Sequence, residues 1–219
     1  MTAEGFLAAL SVDEADALRT AGVRRTYPAN VTLLHQADEA GPVVVLLGGR
    51  VKIAVSDGGR EAIIGVVGPG ELVGELAAID GGPRSTTVTT LEPVDALVVP
   101  RSDFSALLDR RPRIALVILR TVARRLRYAD AQRAQFATLD VVGRLSQRLM
   151  ELSERFGTEE ERGIEIRLPL SQEELASWVG ASREAVSKAF HLLRSLHIVE
   201  TGRRRVTVLD LGALERRAR

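Results

Sequence analysis

Residues 170–196, LSQEELASWVGASREAVSKAFHLLRSL, constrain the fold more than any other stretch. They read as two short helices broken at Val179-Gly180-Ala181. Ser171 followed by Glu174 is a capping box, in which hydroxyl and carboxylate reciprocally satisfy orphan amides at a helix start. Leu175, Trp178 and Val179 then recur at helical spacing and give that helix one apolar face. Gly180 permits a sharp turn, and Ser182 caps a second helix with Arg183 and Glu184 in its first turn. In that second helix Val186, Ala189, Phe190 and Leu193 take the buried side, leaving Arg183, Glu184, Ser187 and Lys188 projecting. A helix entering the major groove needs this arrangement, because its N-terminal side chains reach the base edges. Arginine can give two parallel hydrogen bonds to guanine, and glutamate can accept from cytosine.

The next residues extend the motif. Ile198-Val199-Glu200 and Val206-Thr207-Val208-Leu209 read as two short strands joined by Thr201-Gly202-Arg203-Arg204-Arg205, with Gly202 expected to supply a positive φ. A hairpin tipped by Arg203, Arg204 and Arg205 after a helix–turn–helix is the wing of a winged helix, and its charges are expected to lie along the phosphate backbone. Between Ala181 and Arg219 there are nine Lys or Arg and four Asp or Glu, although the whole chain carries only +1. Basic charge is therefore concentrated at one end, which points to double-stranded DNA as a partner.

Upstream, the texture from Val23 to about Pro100 is β-rich. Runs at Val31–Leu34, Val43–Leu47, Val51–Val55, Ala62–Val67, Thr86–Thr90 and Ala96–Val99 are separated by Gly-, Asp- or Pro-containing turns, the clearest being Asp57-Gly58-Gly59. Many short strands at regular spacing indicate an antiparallel jelly roll or barrel. Residues 4–22 read as helix, with a second helix start at Ser11-Val12-Asp13-Glu14. Gly74-Glu75-Leu76-Ala77-Ala78-Ile79 breaks the β rhythm as a single helical turn, followed by Asp80-Gly81-Gly82-Pro83-Arg84-Ser85. Backbone amides at that turn suit an anion, Arg84 can clamp phosphate oxygens, Ser85 adds a hydroxyl donor, and Glu75 can accept from a sugar hydroxyl.

A short helix at Asp103–Leu108 precedes a long one over Pro112–Thr138. In the long helix Ala115, Leu119, Val122, Leu126, Ala129, Arg133 and Phe136 alternate by four and three, the a/d pattern of a coiled-coil seam, and predict a homodimer. Asp140 is expected to cap a helix over Val141–Arg155, Thr158–Gly163 reads as an acidic loop, and Glu165–Leu168 as a short strand. The expected fold class is α+β: a sensor roll over 1–111, a dimer helix over 112–138, and a winged helix–turn–helix over 139–219.

Composition excludes several alternatives. With no cysteine there is no disulfide, cysteine-ligated zinc or cysteine-held iron–sulfur cluster. His35, His191 and His197 lack metal-ligand spacing and read as structural or partly exposed residues, so neither a metal nor a haem is expected. No signal peptide or ~20-residue apolar span is visible, and a cytoplasmic protein is expected. No nucleophile–base pair accompanies Glu75, so no catalytic residue is assigned and an enzyme is not expected.

The order of these parts resembles the CRP/FNR family of bacterial transcription regulators. The resemblance rests on GELAAIDGGPRS in the roll, ARRL in the dimer helix, a hinge at LDVVGR, and QEELASWVGASREAVSKAF closing on a wing. It covers essentially the whole chain. It implies a cyclic nucleotide, usually cyclic AMP, held by the Gly74-Glu75-Leu76 and Arg84-Ser85 segments: Gly74, Arg84 and Ser85 on the cyclic phosphate, Glu75 on the ribose 2′-hydroxyl. It also implies base contacts from Arg183, Glu184 and Lys188, phosphate contact from Ser171, and a partner in RNA polymerase. Two departures are notable. The family's cyclic AMP responders place Thr then Ser, or a similar polar residue, against the adenine, where this chain has Ala129 and Asp130. Lys188 stands where arginine is common, and a lysine is the less directional donor. The first departure leaves open a different nucleotide, or none, as the effector.

Overall fold

The computed structural model describes residues 5–167 and 170–218, without the side chain of residue 60. The described residues form two compact units, divided within the long helix between Leu126 and Arg127.

The first unit opens on a 3₁₀ turn (Leu7–Ala9) and helix α1 (Val12–Thr20), so the helical signal before Gly22 resolves into two pieces. The break falls at Ser11, whose hydroxyl and the Glu14 carboxylate form a capping box. Eight strands follow: β1 (Val23–Tyr27), β2 (Thr32–Leu34), β3 (Val43–Gly48), β4 (Val51–Asp57), β5 (Arg60–Val67), β6 (Leu72–Val73), β7 (Thr87–Thr90) and β8 (Val94–Val99). They make two antiparallel four-stranded sheets, ordered β1-β8-β3-β6 and β2-β7-β4-β5. β3 explains the layering. Its Val44 and Leu46 join the core between the sheets, whereas Val43 and Val45 face a second core shared with the helices. A strand covered on both sides needs an unbroken apolar run, which Val43–Leu46 supplies. The β4–β5 hairpin turns on Gly58 and Gly59, both at positive φ (56° and 78°), as a two-residue primed turn requires.

Between β6 and β7 lies α2 (Glu75–Asp80), the helical turn expected from its composition. Helix α3 (Arg101–Arg110) then leads to α4 (Pro112–Thr138). Ile114, Val117 and Ile118 of α4 are buried in the core that also contains Phe6, Leu18 and Phe104.

In the second unit, α5 (Val141–Phe156) is capped by Asp140, whose carboxylate accepts from the Gly143 amide at 2.8 Å. Thr158–Gly163, expected as an acidic loop, instead contributes residues 158–160 to strand β9 (Gly157–Glu160) and Gly163 to its partner β10 (Gly163–Arg167). The side chains of β9 are all exposed, so backbone pairing rather than burial makes the strand. The expected strand over 165–168 corresponds to β10, except that residue 168 lies outside the described residues. Helices α6 (Gln172–Val179) and α7 (Arg183–Ser195) precede β11 (Val199–Gly202), β12 (Arg205–Val208) and α8 (Leu211–Arg217). The sheet order is β11-β12-β10-β9.

Candidate functional site

Two sites emerge, one in each unit. The first is a partly open groove of about 160 Å³ in the roll. Leu34, Ile53, Ile64, Val73 and Val88 form its apolar wall, and Gly74–Ala77, Arg84–Thr86 and Arg125 its polar wall. Pockets that enclose drug-sized ligands run to ~300 Å³ or more, so a nucleotide here would extend into the open mouth. Gly74 is the N-cap of α2 at φ 81°, and a Cβ on it would come 2.6 Å from Arg84 Nη1 and 2.8 Å from a Leu34 methyl. Glycine is therefore required twice, by backbone conformation and by the close approach of the guanidinium.

Arg84 is 5% exposed. Its Nη1 donates to the Gly74 carbonyl at 2.5 Å and its Nη2 to the Pro42 carbonyl at 2.6 Å. Burial holds its pKa below the ordinary arginine value, opposed by Asp38 and Glu75, and the group remains a cation. A guanidinium carries five N–H donors, so its fork is fixed by the two carbonyls while donors remain for an anion in the groove. Ser85 and Leu76 line the same groove and are both exposed.

Glu75 is buried at the head of α2, and burial raises its carboxyl above the usual range, opposed by Arg125. Arg125 escaped the sequence reading. Its Nη1 donates to Glu75 Oε1 at 2.8 Å, while its Nη2 donates to the Leu72 carbonyl at 2.7 Å and Glu71 Oε2 at 3.2 Å. The long helix is thus tied directly to the residue expected to hold a sugar hydroxyl, which retains acceptor capacity at its other oxygen. Helical periodicity alone marks Arg125 as one more solvated arginine; only the fold brings it to Glu75. Ala129 and Asp130 belong to the second unit, where both are exposed and Asp130 faces Arg133 at 3.9 Å.

The second site is the helix–turn–helix. Ser171 and Glu174 form the expected capping box, Ser182 caps α7 through the Ala185 amide, and Gly180 turns at φ 66°. A Cβ on Gly180 would also collide with the Phe136 ring. Phe136, expected on the dimer seam, thereby packs on the turn of the motif, with the Arg144 guanidinium 5.4 Å from its ring centre. Val186, Ala189 and Leu193 are buried and Phe190 half-buried, while Ser182, Arg183, Glu184, Ser187 and Lys188 form the open face. Arg183 Nε donates to Gln172 Oε1 at 3.1 Å, which pre-orients it across the two helices. Hydrogen bonds from its own amide and from Ser182, with smaller help from Arg183 and Lys188, hold the Glu184 carboxyl below its ordinary value. It therefore stands as an ionised acceptor.

In the wing, Arg204 rather than the expected Gly202 is the left-handed residue, at φ 54°. Gly202 pairs with Arg205 across the ladder, so the turn is Arg203-Arg204. Both are exposed at the tip, whereas Arg205 Nη1 lies 3.5 Å from Glu165 Oε2 and is partly neutralised. Sequence reading also misses Arg144, which donates to the carbonyls of Val179 (2.8 Å), Leu139 (2.7 Å) and Gly180 (3.3 Å) and so fastens the turn to α5. Among the described residues no helix is long and apolar enough to cross a membrane, and no group of three or more His, Cys, Asp or Glu could hold a metal. His35, His191 and His197 are all exposed.

Comparison with known proteins converges on this pairing of sites. The sequence-family model for the cyclic nucleotide-binding domain matches residues 24–111, and that for the Crp-like helix-turn-helix domain matches residues 143–217. The chain is 34% identical over 194 residues to a CRP-like cAMP-activated global transcriptional regulator of Mycobacterium tuberculosis, covering 88% of this chain and 87% of that protein. It is 30% identical over 207 residues to the cyclic AMP receptor protein of Thermus thermophilus, covering 94% and 93%. Among solved structures, a CRP-family transcriptional regulator from Thermus thermophilus superposes with a TM-score of 0.74 at 26% identity, covering 89% of this chain and 96% of that one. These domains and relatives are those of transcription regulators rather than enzymes. With a cyclic nucleotide-binding domain in its roll and a Crp-like helix-turn-helix in its winged head, the chain belongs to the CRP/FNR family of transcription regulators.

Proposed function

We propose that this protein is a homodimeric, cytoplasmic regulator that binds cyclic AMP in the roll and a pseudo-palindromic operator through α7, and that works with RNA polymerase. The observation that carries the effector assignment is the buried Arg84 fork beside Gly74 and Glu75: a cation for the cyclic phosphate next to a carboxylate for the ribose. Arg84 and Ser85 hold the phosphate, the α2 amides add donors, and Glu75 accepts from the 2′-hydroxyl. The cyclic AMP responses in the names of its Mycobacterium and Thermus relatives support the same reading.

Dimerisation is supported by α4. While Ile114, Val117 and Ile118 are buried in the roll core, Leu119 and Leu126 are 64% and 61% exposed. Large apolar residues at heptad spacing on an open helix face fit a second copy of the same helix. A two-fold dimer presents two α7 helices about one DNA turn (~34 Å) apart. In each, Arg183, Glu184 and Lys188 meet bases, Ser182 and Ser187 flank them, and Ser171, Arg203, Arg204 and Arg205 lie along phosphates.

A second effector reading has its own support. Ala129 offers no side-chain hydrogen bond and Asp130 only an acceptor, so a different nucleotide, or none, could serve the same architecture. Calorimetry with cyclic AMP, cyclic GMP and linear AMP separates the two. Tight cyclic AMP binding, abolished in Arg84→Ala, supports the proposal; equal or tighter binding of another nucleotide, or no binding, contradicts it.

A further inference from the structure

Arg148 of α5 is only 5% exposed and uses groups from three helices. Nη1 donates to Tyr128 Oη at 2.8 Å and lies 3.5 Å from Glu151 Oε2, and Nη2 donates to Gln132 Oε1. The guanidinium carbon stands 5.0 Å from the ring centre of Trp178. The Tyr128 hydroxyl in turn donates to the Glu151 carboxylate. Burial and Glu151 push that hydroxyl's pKa above its ordinary value, so it remains a donor. Among the described residues Arg148 Nε and Trp178 Nε1 are buried without a hydrogen-bond partner, and the guanidinium lies over the indole ring. Being buried, Arg148 is not placed to touch a phosphate.

Its partners sit at informative places. Tyr128 and Gln132 lie on the second half of α4, and Trp178 on α6, the helix that precedes the recognition helix. A buried cation that loses its partners is strongly destabilised, even where the complete network adds little net stability. The four groups therefore favour one discrete arrangement over a range of intermediate ones. Arg144, by contrast, bonds backbone carbonyls and fastens the turn itself, meeting α4, among the described residues, only through the ring of Phe136 and through no hydrogen-bonding side chain of that helix.

We propose that Arg148 is a positioning residue for operator reading: by tying Tyr128 and Gln132 of the dimer helix to Trp178 of α6, it sets the half-site spacing that the dimer accepts. This rests on the DNA-binding dimer proposed above. Adding two base pairs between half-sites rotates one relative to the other by about 70° and moves it by about 7 Å. A head clamped to the dimer helix cannot follow that displacement, whereas one pivoting at Leu139-Asp140 can.

The test uses the full-length protein and duplexes selected by it from a pool with randomised half-sites, remade with spacers from two base pairs shorter to two longer. Binding is followed by anisotropy for the unsubstituted protein, Arg148→Met, and the double variant Tyr128→Phe with Gln132→Ala. Far-ultraviolet circular dichroism reports folding, emission of Trp178, the chain's one tryptophan, reports the packing of Arg148 on its ring, and sedimentation velocity reports the dimer. The unsubstituted protein is expected to lose about tenfold or more in affinity when the spacer changes by two base pairs, the scale of losing good base contacts. Both variants should stay within about threefold across the series, and Arg148→Met should also shift Trp178 emission. If Arg148→Met does not fold, the double variant decides. Folded dimeric variants that keep the steep profile overturn the proposal, as does a profile flattened only because the variant has become monomeric. An unsubstituted protein that binds no duplex removes the DNA-binding reading beneath it, an outcome distinct from failure of Arg148 alone.

Discussion

The two halves of α4 are held by different physics. Up to Leu126 the helix is fixed mainly by apolar burial: Ile114, Val117 and Ile118 enter a core with Phe6, Leu18 and Phe104, and Arg125 near its end adds ion pairs, to Glu75 and Glu71. From Arg127 onward it is fixed by directed polar contacts, Tyr128 and Gln132 to Arg148, with Phe136 on the turn at Gly180. Hydrophobic burial is non-directional and scales with area, so it secures an element while tolerating small shifts. A hydrogen-bonded buried cation has few acceptable geometries and is sensitive to small displacements. The first half is held mainly by burial, the second mainly by hydrogen bonds to a buried guanidinium.

The largest effect should come from breaking the apolar half. Ile114→Ala is expected to destabilise the roll by about 2–5 kcal/mol, the range for emptying a core isoleucine site. Denaturation followed by far-ultraviolet circular dichroism should show an early transition for the roll, while the Trp178 fluorescence transition of the head stays in place. Coincident shifts in both would mean that the halves unfold as one body. Tyr128→Phe removes one hydroxyl shared by Arg148 and Glu151, and should lower the head's stability by about 1–2 kcal/mol in urea titration of Trp178 emission. An unchanged midpoint would show the polar half to be loosely held. Ser171→Ala, which opens the capping box of α6, should cost about 1 kcal/mol in the same titration and nothing in the roll.

The smallest effect concerns pH. Because Glu75 titrates above its ordinary value of 4.5, the folded roll binds its proton more tightly than the unfolded chain does. The resulting contribution to stability is fully present below 4.5 and is lost as pH rises through the raised value. Glu75→Gln should therefore flatten the pH dependence of roll melting in that interval, leaving the variant the more stable relative to the unsubstituted protein at neutral pH. Parallel melting curves across the interval would show that the Arg125 pair, rather than burial, governs this carboxyl.

Features set by local chemistry were legible from the sequence. The Ser171–Glu174 box, the Gly58-Gly59 turn, the Asp140 and Ser182 caps, and the extent of α4 each depend on residues within a few positions. What stayed hidden depends on partners far along the chain. β1 carries Arg24 and Arg25 and looks polar, yet β8 pairs with it and Asp95 neutralises Arg24. β9 is a strand of exposed polar and acidic residues because β10 supplies its ladder. Arg125, Arg144 and Arg148 look alike in an arginine-rich chain, and only folding assigns them to a pocket, a turn and a junction. At the wing the local rule misleads: a glycine is available, but the register places it in the ladder and puts Arg204 in the left-handed conformation.

If nucleotide in the roll changes how the head meets DNA, the coupling must be reciprocal. A linked titration reads it in both directions: affinity for a selected duplex with and without saturating cyclic AMP, and affinity for cyclic AMP with and without that duplex. Each ligand is expected to tighten the other by the same factor, about 5- to 150-fold for couplings of ordinary size. Duplex affinity that stays constant as the roll fills with cyclic AMP would contradict the proposed regulation.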